Sequence, residues 1–423
     1  MRNKLAQFLV QHPATAYCIA FSGGLDSHAL LHACAALRAA PSPFARMNWR
    51  AIHIDHGLQA VSTQWAEHCR AVCEGLAIPF SSVSLQLRIP AGASLEAVAR
   101  EARYAVFREH LQAGEMLLTA HHQDDQAETL LLHLLRGSGV DGLAAMPAVR
   151  ALGLGSLGRP LLNVSRAALT HYAQQHALDY ITDPTNADSR FDRNFLRQQV
   201  MPVLTARWVS ASKTLARAAQ WQAESRTLLE SLVREKLPAL HGSRAGTLSV
   251  QRLLALDTAL QKALMREWLA TSGFQKPSTN KLQQMLSSVL LAKVDALPCV
   301  TWEGCEVRRY RDDLYALPPL MRLDTKQTWE WRDIHQPLYL EALQQALQPE
   351  LLQAWQAHLQ GQTVTVRLRQ GGECLYLPKR GGQHSLKHLM QELGIPPWER
   401  ERLPLVYVGA RLVGIPDVIW TEP

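Results

Sequence analysis

Short apolar runs of strand length alternate with stretches whose apolar residues recur every three to four positions over the first two hundred residues. Tyr17-Cys18-Ile19-Ala20-Phe21 reads as a buried strand; Ala29, Leu30, Ala33 and Leu37 then fall on one face of a helix. A second strand lies within 49–57 and ends in Asp55-His56-Gly57, and a helix covers 63–76. Ser94 caps a further helix running to Leu111. Its stripe includes Val98, Ala99, Ala102 and Val106, and Arg100, Arg103 and Phe107 share a different face. A third strand spans 115–120, and from about Asp124 a helix carries Leu130, Leu131, Leu134 and Leu135. Residues 144–162, with two prolines and three glycines, are expected to be a loop, and a helix over 164–176 starts at Ser165 or Asn163. Strands alternating with helices predict an α/β domain built on a parallel sheet.

Beyond Pro202 the pattern changes. Residues 213–240 and 250–292 are helical, with Lys213, Arg217, Arg226 and Arg234 along the first stretch, and Thr247 to Val250 is placed to cap the second. Residues 299–317 are strand-rich. Trp329 and Trp331 alternate as in a strand, and a Gln-rich helix is expected after them. Val364 to Arg369 alternates again, with basic residues outward, and a helix begins at Ser385. The expected division is a catalytic domain over 1–215, a mostly helical domain over 216–320, a connecting segment over 321–361 and a small α+β domain over 362–423.

The chemistry concentrates after the strands. In Ser22-Gly23-Gly24-Leu25-Asp26-Ser27, two glycines let the backbone approach a polyphosphate, the helix start presents free N–H groups, and the serines add hydroxyls. Asp26 beside phosphates suggests an intervening cation, Mg²⁺. The turn has no lysine and is not a Walker A loop. After the third strand comes His121-His122-Gln123-Asp124-Asp125-Gln126-Ala127-Glu128-Thr129. These groups could bind a metal, could cap the helix, or could hold a cationic amine and take its proton; the last fits best with the preceding strand. Asp183-Pro184-Thr185-Asn186 is a turn, and Arg193 and Arg197 lie one helical turn apart, facing phosphate or solvent. Gly153 to Gly158 matches G-x-G-x-x-G, but Arg159-Pro160 follows where a dinucleotide site needs a helix. Cys69 and Cys73 read as half-buried thiols rather than metal ligands.

With 423 residues, net charge +7 and seven scattered cysteines, the chain reads as a multidomain, soluble, cytoplasmic protein with mild preference for a polyanionic partner. Neither a signal peptide nor an apolar run long enough for a membrane span is expected. Between 364 and 387, Arg367, Arg369, Lys379, Arg380 and Lys387 face a single acid, Glu373, which suits an RNA-backbone clamp.

The SGGLDS hexapeptide resembles the loop of the PP-loop ATP pyrophosphatases, which cleave ATP between the α- and β-phosphates and adenylate a substrate. Together with HIDHGL, Arg103-Tyr104, HHQDDQAET, RGSG, RPLL and RNFLR, all in order, the chain is similar to the tRNA(Ile)-lysidine synthetases. The resemblance extends to Lys379-Arg380, Lys387 and the IPPWER segment near the C-terminus. It implies a parallel-sheet, Rossmann-like PP-loop domain followed by a helical and a small α+β domain. It further implies ATP bound by Ser22, Gly23, Gly24, Leu25, Asp26 and Ser27, with Asp26, Arg103, Asp125, Glu128 and Arg197 around the reaction centre. The implied substrates are free L-lysine and tRNA(Ile) with a CAU anticodon, and no obligatory protein partner is evident. A PP-loop tRNA thiolase is the alternative, although it would need a reactive cysteine pair. A glutamine-dependent amidotransferase and a non-catalytic tRNA-binding protein fit less well.

Overall fold

The computed structural model describes residues 1–55, 62–85, 95–184, 188–293, 296–359 and 361–423. His56, Gly57, the cap Ser94, Thr185 and Asn186 lie outside the described residues. The chain divides into two compact units, Met1–Leu232 and Val233–Pro423.

In the first unit the apolar runs are strands of one sheet: β1 (Ala16–Ala20), β2 (Asn48–Asp55), β3 (Phe80–Ser84) and β4 (Glu115–Leu118). Helices α1 (Arg2–Gln11), α2 (Leu25–Ala39), α3 (Ser62–Gly75), α4 (Leu95–His110) and α5 (Gln123–Leu135) flank and connect them. Both faces are covered, which is why the strands read as continuous apolar runs. The two-residue period sends alternate side chains to opposite cores. Tyr17, Ile19, Phe21, Met116 and Leu118 pack with α1 and α2, whereas Cys18, Ile52, Ile54 and Leu117 pack with Tyr104, Val106 and Phe107 of α4.

Residues 144–162 are not a plain loop. They contain β5 (Val149–Leu152) and β6 (Gly155–Gly158), an antiparallel hairpin whose second strand pairs parallel to β4. The sheet order is therefore β3-β2-β1-β4-β6-β5. The glycines that look loop-like are there because strands meet closely: a Cβ on Gly155 would lie 2.2 Å from the Glu115 carbonyl oxygen. The formal G-x-G-x-x-G therefore spans a hairpin turn and an inner strand, with no helix after it.

In the second unit, helices Val250–Leu254, Thr258–Thr271 and Thr279–Gln284 and the π-helical turn Met285–Leu290 pack on a four-stranded sheet containing Cys299–Trp302, Cys305–Tyr310 and Asp313–Leu317. Ser249 Oγ accepts from the Arg252 N–H and caps the first of these helices. A five-stranded antiparallel sheet follows, containing Thr328–Glu330, Val364–Arg367, Leu405–Val408, Arg411–Ile415 and Ile419–Trp420. Trp329 and Trp331 are buried against Val364, Val366 and Val406. The expected Gln-rich helix is instead a hairpin, Leu338–Leu340 with Gln345–Leu347, followed by 3₁₀ turns over Pro349–His358. Pairing across the hairpin buries Leu340 and Leu347 completely or nearly so, and Gln344 turns the chain with φ +50°. Within this unit Arg244 pairs with Glu399 at 2.7 Å, and Arg400 donates to the Tyr310 hydroxyl at 2.8 Å. Among the described residues no helix is long and apolar enough to cross a membrane.

Candidate active site

The loop after β1 leaves the sheet at Phe21, whose N–H donates to the Ile52 carbonyl at 2.9 Å. Gly23 has φ +81°, and a Cβ there would sit 2.6 Å from Ile181 Cδ1 and 3.0 Å from Cys69 Sγ. The Ile181 N–H donates to the Gly23 carbonyl at 3.0 Å, so the turn is held from outside. Ser27 Oγ donates to the Gly24 carbonyl at 3.0 Å, lies 3.0 Å from Ser22 Oγ and accepts from the Ser22 N–H at 3.3 Å. Gly24 precedes α2 and offers no side chain to its first N–H groups, while Leu25 opens the helix. Those donors remain available to an anion.

Asp26, in the first turn of α2, points toward the start of α5. Its Oδ2 lies 3.6 Å from His122 Nε2, and its Oδ1 is buried with no hydrogen-bond partner in the protein. An orphaned carboxylate oxygen beside that turn is a hard oxygen donor of the kind Mg²⁺ takes. Among the described residues no group of three or more His, Cys, Asp or Glu side chains forms a metal site by itself.

His122, almost wholly buried, is the N-cap of α5. Its Nδ1 accepts from the Asp125 N–H at 3.4 Å, while its own N–H donates to Asp125 Oδ2 at 3.0 Å. Burial disfavours its charged form, but the facing Asp26 carboxylate and the charges of Asp125 and Asp124 outweigh burial and raise its pKa. Thr129, one turn later, donates to the Asp125 carbonyl at 2.7 Å.

Arg197 unites the carboxylates. Its Nε and Nη2 donate to the two Glu128 oxygens at 2.8 Å each, and Nη2 also donates to Asp125 Oδ1 at 2.8 Å. Arg193 approaches Glu128 at 3.4 Å and donates to Thr129 Oγ1 at 2.7 Å. Both arginines come from the short helix Asp192–Phe195 and the π-helical turn Leu196–Val200 that continues it. Their spacing does place them on one face, but that face meets carboxylates rather than phosphate or solvent. Burial would raise the Asp125 pKa; His122, His121, Arg193 and Arg197 overcome it and hold the group below the usual carboxylate range.

Arg103, half-buried on α4, bears on the same edge: its charge acts on His121. His121 is pushed below the ordinary histidine range, chiefly by burial, and its Nδ1 lies 2.9 Å from Thr119 Oγ1. Asp124 lies 3.8 Å from His122 Nδ1, but its hydrogen bonds go elsewhere. It accepts from the Arg166 N–H and from Ser212 Oγ, both at 2.9 Å, and so ties later segments to the start of α5. The structure thus gathers Asp26, His122, Asp125, Glu128, Arg193 and Arg197 where β1 and β4 end, the edge at which parallel sheets bind ligands. The role of His122 as the bridge from Asp26 to Asp125 escapes a sequence reading. A histidine two residues beyond a strand and three before an aspartate is its only signal.

Cys69 and Cys73 are fully buried and both pushed up to about 12, chiefly by burial. The exposed cysteines, Cys299 and Cys374, belong to the other unit. In that unit Arg369 and Arg380 pair with Glu373 and Glu392 at 3.6 and 2.9 Å, Arg367 lies over the Tyr407 ring, and Lys387 is exposed. The Lys379 side chain lies outside the described residues.

Family models match along the chain: a PP-loop domain over residues 1–204, a TilS substrate binding domain over 248–315 and a TilS substrate C-terminal domain over 364–423. The tRNA(Ile)-lysidine synthase of Alkalilimnicola ehrlichii is 43% identical, with 96% of this chain and 90% of that protein aligned. The chain belongs to the tRNA(Ile)-lysidine synthase family. The Coxiella burnetii synthase is 40% identical across 98% of this chain and 91% of its own length. Among solved structures, a U34-tRNA thiolase from Methanococcus maripaludis matches with TM-score 0.44 and 16% identity, covering 53% of this chain and 78% of that one. Membership makes the chain an ATP-dependent ligase of the PP-loop class that acts on tRNA(Ile). Sulfur transfer is not favoured, and the buried, protonated thiols of the first unit agree.

Proposed function

We propose that this lysidine synthase family member uses ATP to adenylate the C2 oxygen of the wobble cytidine in a CAU-anticodon tRNA(Ile), releasing pyrophosphate, and then attaches the amine of free lysine to C2, releasing AMP with that oxygen. The observation that carries the reading is the pair of carboxylates, Asp125 and Glu128, bridged by Arg197 beside the Asp26 loop.

The C2 oxygen of cytidine is a poor leaving group, and adenylation converts it to AMP. Ser22 to Ser27 would cradle the phosphates, and Mg²⁺ on Asp26 would neutralise them when bound. Lysine arrives as an ammonium with an unperturbed pKa of about 10.4 and must attack as the free amine. Glu128 would hold that cation and Asp125 would take the proton as the C–N bond forms. Arg197 holds both carboxylates in position for this, and Arg103 would face the charge that develops on the transferred group. The basic C-terminal segment, with Lys387 exposed, would grip the tRNA backbone away from the anticodon.

The test is incubation of the full chain with ATP, Mg²⁺, labelled lysine and a CAU-anticodon tRNA(Ile) transcript. Label is expected in the RNA, with AMP released. Asp125→Asn is expected to lose lysine transfer, and Asp26→Asn to lose ATP turnover while still binding tRNA. Sulfur transfer from a persulfide donor without lysine incorporation would refute the reading, and normal turnover by Asp125→Asn would remove the proton-acceptor role.

A further inference from the structure

Beside the centre described above lies a second charged cluster that neither ATP cradling nor amine binding uses. Its hub is Tyr104 of α4, only 6% exposed. The guanidinium carbons of Arg100 and Arg150 lie 5.1 and 4.9 Å from its ring centroid, and the Arg159 charge acts on its hydroxyl. Arg159 is itself 3% exposed. Its backbone N–H and Nη1 are committed to the Ala148 and Pro147 carbonyls at 2.8 and 2.7 Å, and its Nε is buried without a hydrogen-bond partner. The charges that act on the phenol are those of Arg100, Arg159, Arg103 and Arg150, all of one sign. Neighbouring arginines of this domain are matched by acids: Arg108 by Glu101 and Arg50 by Glu115.

We infer that Arg100 and Arg150, spread on the Tyr104 ring and backed by Arg159, form a phosphate-binding site for the tRNA backbone beside the nucleotide being modified. The inference rests on the tRNA reading given above. Like charges gathered on one ring repel each other unless an anion lies among them, and guanidinium groups suit a phosphate by shape as well as charge. The aromatic face holds Arg100 and Arg150 in place before any ligand arrives, and the Pro147 carbonyl holds Arg159. Position favours the RNA as the source of that phosphate. Arg159 follows β6 as His121 follows β4; the Thr119 N–H donates to the Gly158 carbonyl at 3.0 Å, and its hydroxyl meets His121. The cluster is therefore at the same sheet edge as the reaction centre. It is two strands from β1, about 10 Å sideways from the loop that cradles ATP.

The test uses full-length Arg100→Ala, Arg150→Ala and Arg150→Glu, chosen because Arg150 is exposed and Arg100 half-buried, so that folding survives. Affinity for an unmodified CAU-anticodon tRNA(Ile) transcript is measured at salt from about 50 to 200 mM, alongside KM for ATP and inhibition by pyrophosphate. Each alanine variant is expected to weaken tRNA binding roughly three- to ten-fold and to flatten the log–log salt slope by about one, leaving KM for ATP unchanged. Arg150→Glu should weaken it further. If KM for ATP and pyrophosphate inhibition shift while the tRNA salt slope does not, the site takes phosphate from the nucleotide, and the assignment to RNA is overturned. If no quantity moves by more than about two-fold, the phosphate site itself is refuted. Binding is read here without lysine transfer, so failure of this site and failure of the lysine assignment give different results.

Discussion

Replacing Arg197 by methionine removes the one group that, among the described residues, touches both carboxylates at 2.8 Å. Glu128 is 2% exposed, and after the change Arg193 at 3.4 Å is its remaining charged contact among the described residues. Breaking a buried ion pair by removing one partner costs about 3–5 kcal/mol, because the other charge stays buried and unpaired. Arg197 has a side-chain exposure of 26%, and Arg193 persists, so the lower end applies, about 3 kcal/mol. That corresponds to an opening equilibrium for α5 raised roughly 150-fold. Hydrogen exchange of the Gln123–Leu135 amides, read by mass spectrometry, measures this locally, which suits a chain of two units whose global unfolding is not one transition. Adding Glu128→Gln to Arg197→Met should restore at least half of the lost protection by removing the stranded charge. Exchange in α5 changed by less than about five-fold in Arg197→Met, or a double variant as unprotected as the two losses summed, would refute the electrostatic account.

Gly155→Ala would place a Cβ 2.2 Å from one backbone carbonyl oxygen and 3.2 Å from another, so β6 must move away from β4. The expected loss is about 2–3 kcal/mol, a fall of roughly 5–10 °C in the melting of the first unit by calorimetry; a change under about 2 °C would contradict the close packing. His28, His32 and His53 have pKa values lowered chiefly by burial, as does His121. The unfolded chain binds their protons more readily, so their stabilisation is complete above about pH 6.5 and is lost progressively as pH falls below it. His122, with a raised pKa, acts oppositely: its share is present at low pH and is lost as pH rises through its folded value. The lowered histidines outnumber it, so melting temperature should fall between pH 7 and pH 5; a rise on acidification would contradict this balance.

Much of the site is legible along the chain because it is local. A phosphate cradle needs glycine at a turn between strand and helix, and hydroxyls within a few residues; Ser22 to Ser27 satisfies all of this within one loop. Asp125 and Glu128 are three apart on a helix and so share a face whatever the rest of the fold does. The hairpin at 149–158 was hidden for the opposite reason. Gly153, Gly155 and Gly158 answer to Arg108, Glu115 and Met116, far away in sequence, and composition alone reads such glycines as a loop. The segment 321–361 was obscure likewise, since Trp329, Leu340, Leu347 and Trp355 share one core with Val364, Val366, Val406 and Val413 from strands further along the chain.

By itself, the sequence determined the alternation that makes an α/β sheet, the glycine-rich turn after the first strand, the acidic helix start and the family whose motifs they share. Each follows from spacings of a few residues, where backbone geometry alone dictates which groups meet. Only the tertiary structure decided that Arg197 faces Glu128 and Asp125 rather than phosphate. Only it showed that His122 joins Asp26 to Asp125, and that four arginines converge on Tyr104. Apart from Arg100 and Arg103, which share a helix with Tyr104, those meetings join segments between about 50 and 100 residues apart. They depend on which strand ends lie side by side at the sheet's edge, and the order β1-β4-β6 is set by packing across the whole domain.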